Sequence, residues 1–303
     1  MTAPLLDSLQ ATTNALRQTD ASSGSGTLAG TGMRHLKVLL GLMKHGTYDD
    51  PTGRRLAAVT ADTAAQTGWY TFDGGAHAAA QRLFLGALRA AHASGDSRLS
   101  AAALSFLAIH SYSVGNPRDA ITAARTARKA ISDQDSPALH AMLLTRQARG
   151  YARLRDERGA LAALEEAEVL RTQGPGEHDP HWLYWVNEGE ILGQTGSCYL
   201  ELARPIEAAA AFAAARGTLN RDDIRTRAQF LSRAATAQMR AGEADAGCAT
   251  GQDVLTLVDG IRSARLDEHL RAMLQEAHRF EPTPPARALL ERGRTVMKER
   301  VAS

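Results

Sequence analysis

Residues 68–91, GWYTFDGGAHAAAQRLFLGALRAA, contain four positions that recur down the chain. A small residue (Gly68) is followed twelve places later by Ala80, four later by a large apolar side chain (Phe84) and three later by another small one (Ala87). The same phase picks out Ala108, Ala120, Ala124 and Ala127, here with a small third residue, then Ala148, Ala160, Leu164 and Ala167, then Gly196, Ala208, Phe212 and Ala215. A worn fifth copy reads Ala234, Ala246, Thr250 and Asp253, so the successive intervals are 40, 40, 48 and 38 residues. Alanine is abundant enough for such matches to arise easily, and the turns carry more weight. A helix breaker or polar cluster falls at the same point in every copy: Asp73-Gly74-Gly75, Gly115-Asn116-Pro117, Asp156-Glu157-Arg158-Gly159, Arg204-Pro205 and Gly242-Glu243.

Each copy therefore reads as helix, tight turn, helix. Two antiparallel helices approach closely only where side chains are small, and Phe84 or Phe212 then fills the gap between neighbouring pairs. One pair cannot bury its apolar face alone, so the copies must stack. The pattern predicts an all-α protein, a tetratricopeptide-like α-α superhelix: a right-handed solenoid of about five to seven helix pairs. Residues 1–32 are expected to hold an N-terminal helix (Leu5 to Arg17) and a flexible Ser/Gly/Thr-rich linker (Ala21 to Gly32). The repeat domain would span 33–280, from an amphipathic helix at Met33 to Lys44 to a capping pair between Ser263 and Phe280. Residues 281–303 comprise a Pro-rich break, Pro282-Thr283-Pro284-Pro285, and a basic C-terminal helix, Ala286 to Val301.

Composition narrows the function classes. The chain has 303 residues, 44% hydrophobic but only 5% aromatic, ample for a core of Ala and Leu. A net charge of +2 gives no field that would draw the whole protein to DNA or an acidic membrane, and direct nucleic-acid binding is not expected. Neither a secretory start nor an apolar run of about 20 residues is present, so a cytoplasmic protein with no membrane partner is expected. Cys198 and Cys248 lack a second Cys or His at zinc-finger spacing and read as buried thiols.

In such a stack the first helix of each pair lines the concave side, and residues three or four apart point inward together. The repeat phase places Asp62, Trp69 and Phe72 there, then Ser105, Ile109 and Tyr112, then Thr145, Arg149 and Arg153, then Glu190 and Ser197, and finally Gln238. Rings beside arginine and carboxylate suit a peptide segment or an amphipathic small ligand. Against this stands the reading of Trp69, Phe72 and Tyr112 as packing residues between helices. His110, in the apolar run from Leu104 to Ile109, is a catalytic base, a pH-sensitive groove residue or a structural histidine.

The 48-residue interval marks an insertion at residues 174–181, which leads into the aromatic cluster Trp182-Leu183-Tyr184-Trp185. Trp185, Gly189 and Gly193 are spaced by four, which either hollows a helical face for a ligand or lets another helix come close. His178, Asp179 and His181 have donors suited to borderline cations, yet a Pro/Gly loop does not fix their angles; no metal and no cofactor is expected, and Asp179 reads as the cap of a helix starting near Pro180. No nucleophile elbow or Walker-type phosphate loop is present. The basic C-terminal residues Arg287, Arg292, Arg294, Lys298 and Arg300 read as a solvated helix face.

Thr67-Gly68-Trp69 to Phe72-Asp73-Gly74, with Ala80-Gln81-Arg82 to Ala91 and Gly95-Asp96, resembles the tetratricopeptide-like C-terminal half of actinobacterial regulators of the Cro/C1 (Xre) helix-turn-helix type. Asp179-Pro180-His181-Trp182-Leu183-Tyr184-Trp185, running on to Gly196-Ser197-Cys198-Tyr199-Leu200, carries the same likeness, which extends over about residues 1–280. The resemblance implies a regulatory or sensory helical domain. About 30 residues precede the repeat-like helices, and a helix-turn-helix reader is not expected among them. The combined reading is a binding module that recognises a protein segment or small effector, leaning away from catalysis. Self-association as a homodimer through a terminal helix fits it. The alternative is an enzyme or accessory protein of secondary metabolism, built on the same scaffold and shaping a small organic substrate.

Overall fold

Polar caps and prolines decide where helices begin. In the computed structural model, which describes residues 1–133, 135–174, 176–219 and 223–302, the side chains of Asp49, Asp96, Asn116, Asp156, Asn187, Asp223 and Ser263 each accept a hydrogen bond from a first-turn backbone N–H. Pro117, Pro137 and Pro205 occupy first helical positions, where their fixed φ suits the helix and the missing N–H had no helical partner. The helices are α1 (Ala3–Ser23), α2 (Leu28–His45), α3 (Asp50–Asp73), α4 (His77–Ser94), α5 (Ser97–Val114), α6 (Pro117–Ala130), α7 (Pro137–Arg153) and α8 (Glu157–Thr172). They continue as α9 (Glu188–Glu201), α10 (Pro205–Thr218), α11 (Ile224–Arg240), α12 (Ala244–Leu257), α13 (Ala264–Ala277) and α14 (Pro284–Ala302). Among the described residues there is no strand, and no helix is long and apolar enough to cross a membrane.

Consecutive helices pair and stack, with the odd-numbered helices from α3 to α13 on the inner side. The small residues of the repeat make this possible. A Cβ at Gly68 would lie 2.6 Å from the Phe84 ring, and one at Gly196 would lie 2.9 Å from Phe212, so only glycine admits the aromatic that wedges each pair. Ala80, Ala87, Ala120, Ala127, Ala148, Ala160, Ala208 and Ala215 are wholly buried at the same seams.

The fifth copy departs from the phase read in the sequence. Ala246 and Asp253 are exposed, so they cannot be the packing residues of that pair. The frame one residue later is the one that packs: Ala235, Gly247, Gly251 and Val254 are all buried, and a Cβ on Gly247 would lie 3.0 Å from Ala235 O. An alanine-rich helix offers alanine at several phases, and only burial chooses among them. The ends differ too. The Ala21 to Gly32 stretch is no long linker, because α1 runs to Ser23 and α2 starts at Leu28, with Ser25 buried between them. The C-terminal helix α14 buries Ala286, Leu289 and Leu290 against α12 and α13 and so completes the last pair.

The two ends of the stack meet. Gly26 N donates to Arg262 O at 3.1 Å, Arg225 pairs with Asp20 at 3.1 Å, and Ser263 Oγ donates to the buried Asp73 Oδ1 at 2.8 Å. A Cβ on Gly26 would lie 2.1 Å from Cβ of Arg262, which explains glycine at this crossing. The superhelix is therefore closed into a ring by the N-terminal helix and the α12–α13 connection. Ser263 both caps α13 through Leu266 N and bonds across this seam. Ser263→Ala is expected to lower the unfolding free energy by about 1–2 kcal/mol in urea titrations, with Ser263→Thr recovering most of it.

Candidate functional site

The ring encloses a cavity of about 270 Å³ that takes side chains from α1, the inner helices α3 to α13 and the turn before α9. Each inner helix contributes along one stripe: Asp62, Trp69 and Phe72 from α3, Ile109 and Tyr112 from α5, Arg146, Arg149 and Arg153 from α7, Glu190, Gln194, Ser197 and Glu201 from α9. Arg225, Gln229 and Arg233 come from α11, and Arg265 and His269 from α13. Trp69, Trp182 and Trp185, all three tryptophans of the chain, line it. Lining residues are exposed at both ends, Tyr184 at one and Val114 and Arg153 at the other.

Ion pairs organise the wall. Arg17 of α1 meets Asp62 at 2.6 Å, and Gln10 Nε2 donates to the same carboxylate at 2.7 Å. Asp20 accepts from Ser25 Oγ at 2.5 Å and from Trp69 Nε1 at 3.0 Å besides pairing with Arg225. Burial pushes the Asp20 carboxyl above its usual value, with Arg225 pulling the other way. Across the cavity Glu201 takes Arg149 at 2.6 Å and Arg233 at 3.4 Å. Burial alone would raise its pKa, but the two guanidiniums outweigh that and hold it below the ordinary range. Burial and the neighbouring Arg149 charge draw Arg233 down to about 10. Guanidiniums also lie over rings: Arg149 over Tyr112 at 4.8 Å, Arg146 over Trp185 at 5.4 Å, and Arg265 over Trp69 at 5.0 Å.

Of the residues singled out from sequence, Asp62, Trp69, Phe72, Ser105, Ile109, Tyr112, Arg149, Arg153, Trp185, Glu190 and Ser197 line this one cavity. His110, Thr145 and Gln238 do not. His110 is buried between Phe72 and His77, at ring distances of 5.9 and 6.3 Å, and burial followed by the His77 charge lowers its pKa. Thr145 turns back to donate to Met142 O at 2.7 Å. Gln238 is off the cavity because α11 carries the shifted register, which turns Arg225, Gln229 and Arg233 inward instead. Trp185 precedes α9 rather than lying on it, and the glycines after it admit a helix, not a ligand: a Cβ on Gly193 would sit 2.3 Å from the Phe230 ring, and one on Gly189 2.8 Å from Leu219 N. Asp179 caps α7 rather than the helical turn that follows it, accepting from Ser136 Oγ at 2.6 Å and Ala138 N at 3.2 Å, and it also takes Gly176 N at 2.8 Å. Among the described residues no group of three His, Cys, Asp or Glu side chains could hold a metal ion. Cys198 lies beneath Arg149 and Glu201, with burial raising its thiol to about 12, and Cys248 is buried in the last core cluster.

No protein-family model matches the chain, and no curated protein matches it by sequence. Solved structures do. A Rap protein complexed with competence and sporulation factor aligns over 98% of this chain and 99% of its own length, at 11% identity and a TM-score of 0.55. The fold is tetratricopeptide-like. At that identity the likeness concerns the course of the backbone only. The tetratricopeptide domain of P58(IPK) aligns over 97% of this chain and 98% of its own at 14% identity, with a TM-score of 0.22 that bears no structural weight.

Proposed function

We propose that the chain is a regulatory binding module whose central cavity receives a short peptide segment. The observation that carries this is the wall itself: rings and paired charges from every inner helix face one hollow whose lining reaches solvent at both ends. An extended segment has side chains to fill aromatic niches and backbone groups to meet Gln194, Gln229 and the arginines. The related Rap structure holds competence and sporulation factor, so a stack with this backbone accommodates a partner in another protein. Ring closure supplies the regulatory element. The seam joining α1 to α11 and α13 borders the cavity through Asp20, Arg225 and Trp69, so a ligand that touches these residues changes the stability of the closed form. The link to helix-turn-helix regulators belongs to this reading, as does a homodimer.

A small organic ligand is the second reading, favoured by the volume, which lies just below the roughly 300–1,000 Å³ of small-molecule sites. Affinity selection from a synthetic random library of peptides about six residues long, followed by titration of tryptophan emission, separates the two. Selected peptides are expected to bind in the micromolar range, about 10⁻⁶ M, and to shift the emission, because all three tryptophans line the cavity. A selection that enriches nothing, or enriches peptides that leave the emission unchanged, overturns the peptide reading.

A further inference from the structure

Charge over the whole cavity is nearly balanced, but it is not evenly spread. Arg17, Arg225 and Arg146 each have a carboxylate of their own, Asp62, Asp20 and Glu190 respectively. On the wall shared by α7, α11 and α13 the supply runs short. Arg149 and Arg233 divide the single carboxylate of Glu201, Arg265 has no ion pair and no hydrogen bond among the described residues, and Glu268, the other carboxylate on this wall, is exposed and pairs with none of the three. Arg265 lies over Trp69 at 5.0 Å and Phe72 at 5.7 Å, contacts that steady the guanidinium but offer its N–H groups no acceptor. The acidic group that acts on it most strongly is Asp73, which lies beyond ion-pair distance and takes the Ser263 hydroxyl on Oδ1.

The unmet hydrogen-bonding capacity has the same sign. On α11 the buried Nε atoms of Arg225 and Arg233 and Nε2 of Gln229, all donors, have no protein acceptor. The same charges bear on a neighbouring group. Burial, and then the charges of Arg233, Arg265 and Arg149, push His269 far below its ordinary value, so it stays neutral among three cations. What the wall lacks is one anion carrying acceptors. A carboxylate fits: it is planar, takes paired N–H donors side by side, and brings an apolar stem for the aromatic and aliphatic lining of the cavity.

We infer that the wall around Arg265, Arg233 and Gln229 is a carboxylate-binding subsite, and that the ligand of this cavity presents a carboxylate joined to an apolar group. This rests on the ligand-binding reading above and adds the chemistry of the ligand. The carboxylate can belong to an acidic side chain, to a chain terminus or to a free organic acid, and the test distinguishes these.

The first probe is 3-phenylpropanoate, titrated against tryptophan emission beside its uncharged amide. The acid is expected to bind about 10–100-fold more tightly than the amide, the range for hydrogen bonds to a charged partner. Arg265→Gln is expected to reduce that preference to about threefold or less, and Arg265→Lys to keep part of it. Should Arg265→Gln fail to fold, Gln229→Ala is the second variant, with a smaller loss expected in the same direction. Equal binding of acid and amide, or binding of neither up to about 10 mM, overturns the inference. Inorganic phosphate that competes better than acetate overturns it as well, in favour of a tetrahedral anion. The second probe is a set of capped peptides from the library selection, made with Asp or Asn and with a free or amidated terminus. Loss of binding with Asn points to the side chain, and loss with the amide to the terminus. If both changes are harmless the peptide reading stands and this inference falls; if phenylpropanoate binds and no peptide does, the inference stands and the peptide reading falls.

Discussion

Replacing Asp20 with alanine is expected to remove about 3–5 kcal/mol of unfolding free energy, the range for a buried ion pair that loses one partner. Asp20 is 4% exposed and stands where the ends of the ring join. It takes Ser25 Oγ from its own connection, Trp69 Nε1 from α3 and Arg225 from α11. Its removal leaves the guanidinium of Arg225 inside the protein with its Nε already unpartnered. Urea unfolding followed by circular dichroism gives the loss, and small-angle scattering is expected to show a wider particle as the seam opens. Asp20→Asn, which retains an acceptor for Ser25 and Trp69, is expected to lose less. The double variant Asp20→Ala/Arg225→Leu is expected to recover part of the loss, because no buried charge is then left unpaired. A loss below about 1 kcal/mol for Asp20→Ala would show that the ring is held by its apolar contacts alone.

The seam also marks the boundary of what sequence can show. The stacked pairs were legible because their determinants are local: Gly68 with Phe84, Gly196 with Phe212 and the breakers between helices all lie within one repeat. The inner stripe followed wherever the repeat phase was sound, and it placed Trp69, Tyr112, Arg149 and Glu190 on one face of the stack. Arg146 and Glu201 are readable by the same rule, one turn from Arg149 and Ser197, and Glu201 stands at the phase of Arg153 one copy on. Gln238 shows how the rule fails. On a helix rich in alanine two frames look alike, and the burial of Ala235 and Val254 chooses the one that faces Arg233 inward. Asp20 and Arg265 carry no local signal, because Asp20 meets Arg225 across 205 positions and Arg265 lies over Trp69 from the far end of the stack, a result of summed rotations between pairs rather than of any residue pattern.

Glu201→Ala is expected to destabilise the protein by about 3–5 kcal/mol at neutral pH, since it strips the one carboxylate from two buried guanidiniums. The pH profile of the parent should reveal the same group. His269, held far below 6.5 in the fold, protonates first in the unfolded chain, so stability falls as pH drops through 6.5. Glu201 is held below 4.5, so the stability it contributes is complete above 4.5 and is lost as pH falls further toward its folded value. In Glu201→Ala the loss from His269 is expected to persist, while the second loss becomes smaller. The variant also offers a direct check on why the cavity needs acceptors. With Glu201 gone, acetate should enter beside Arg149 and Arg233 and restore stability in proportion to RT ln(1 + [L]/Kd), whereas acetamide of the same size should not. Rescue by both or by neither would mean that these arginines are held by packing against Tyr112 and Cys198, and that charge on this wall is incidental to its shape.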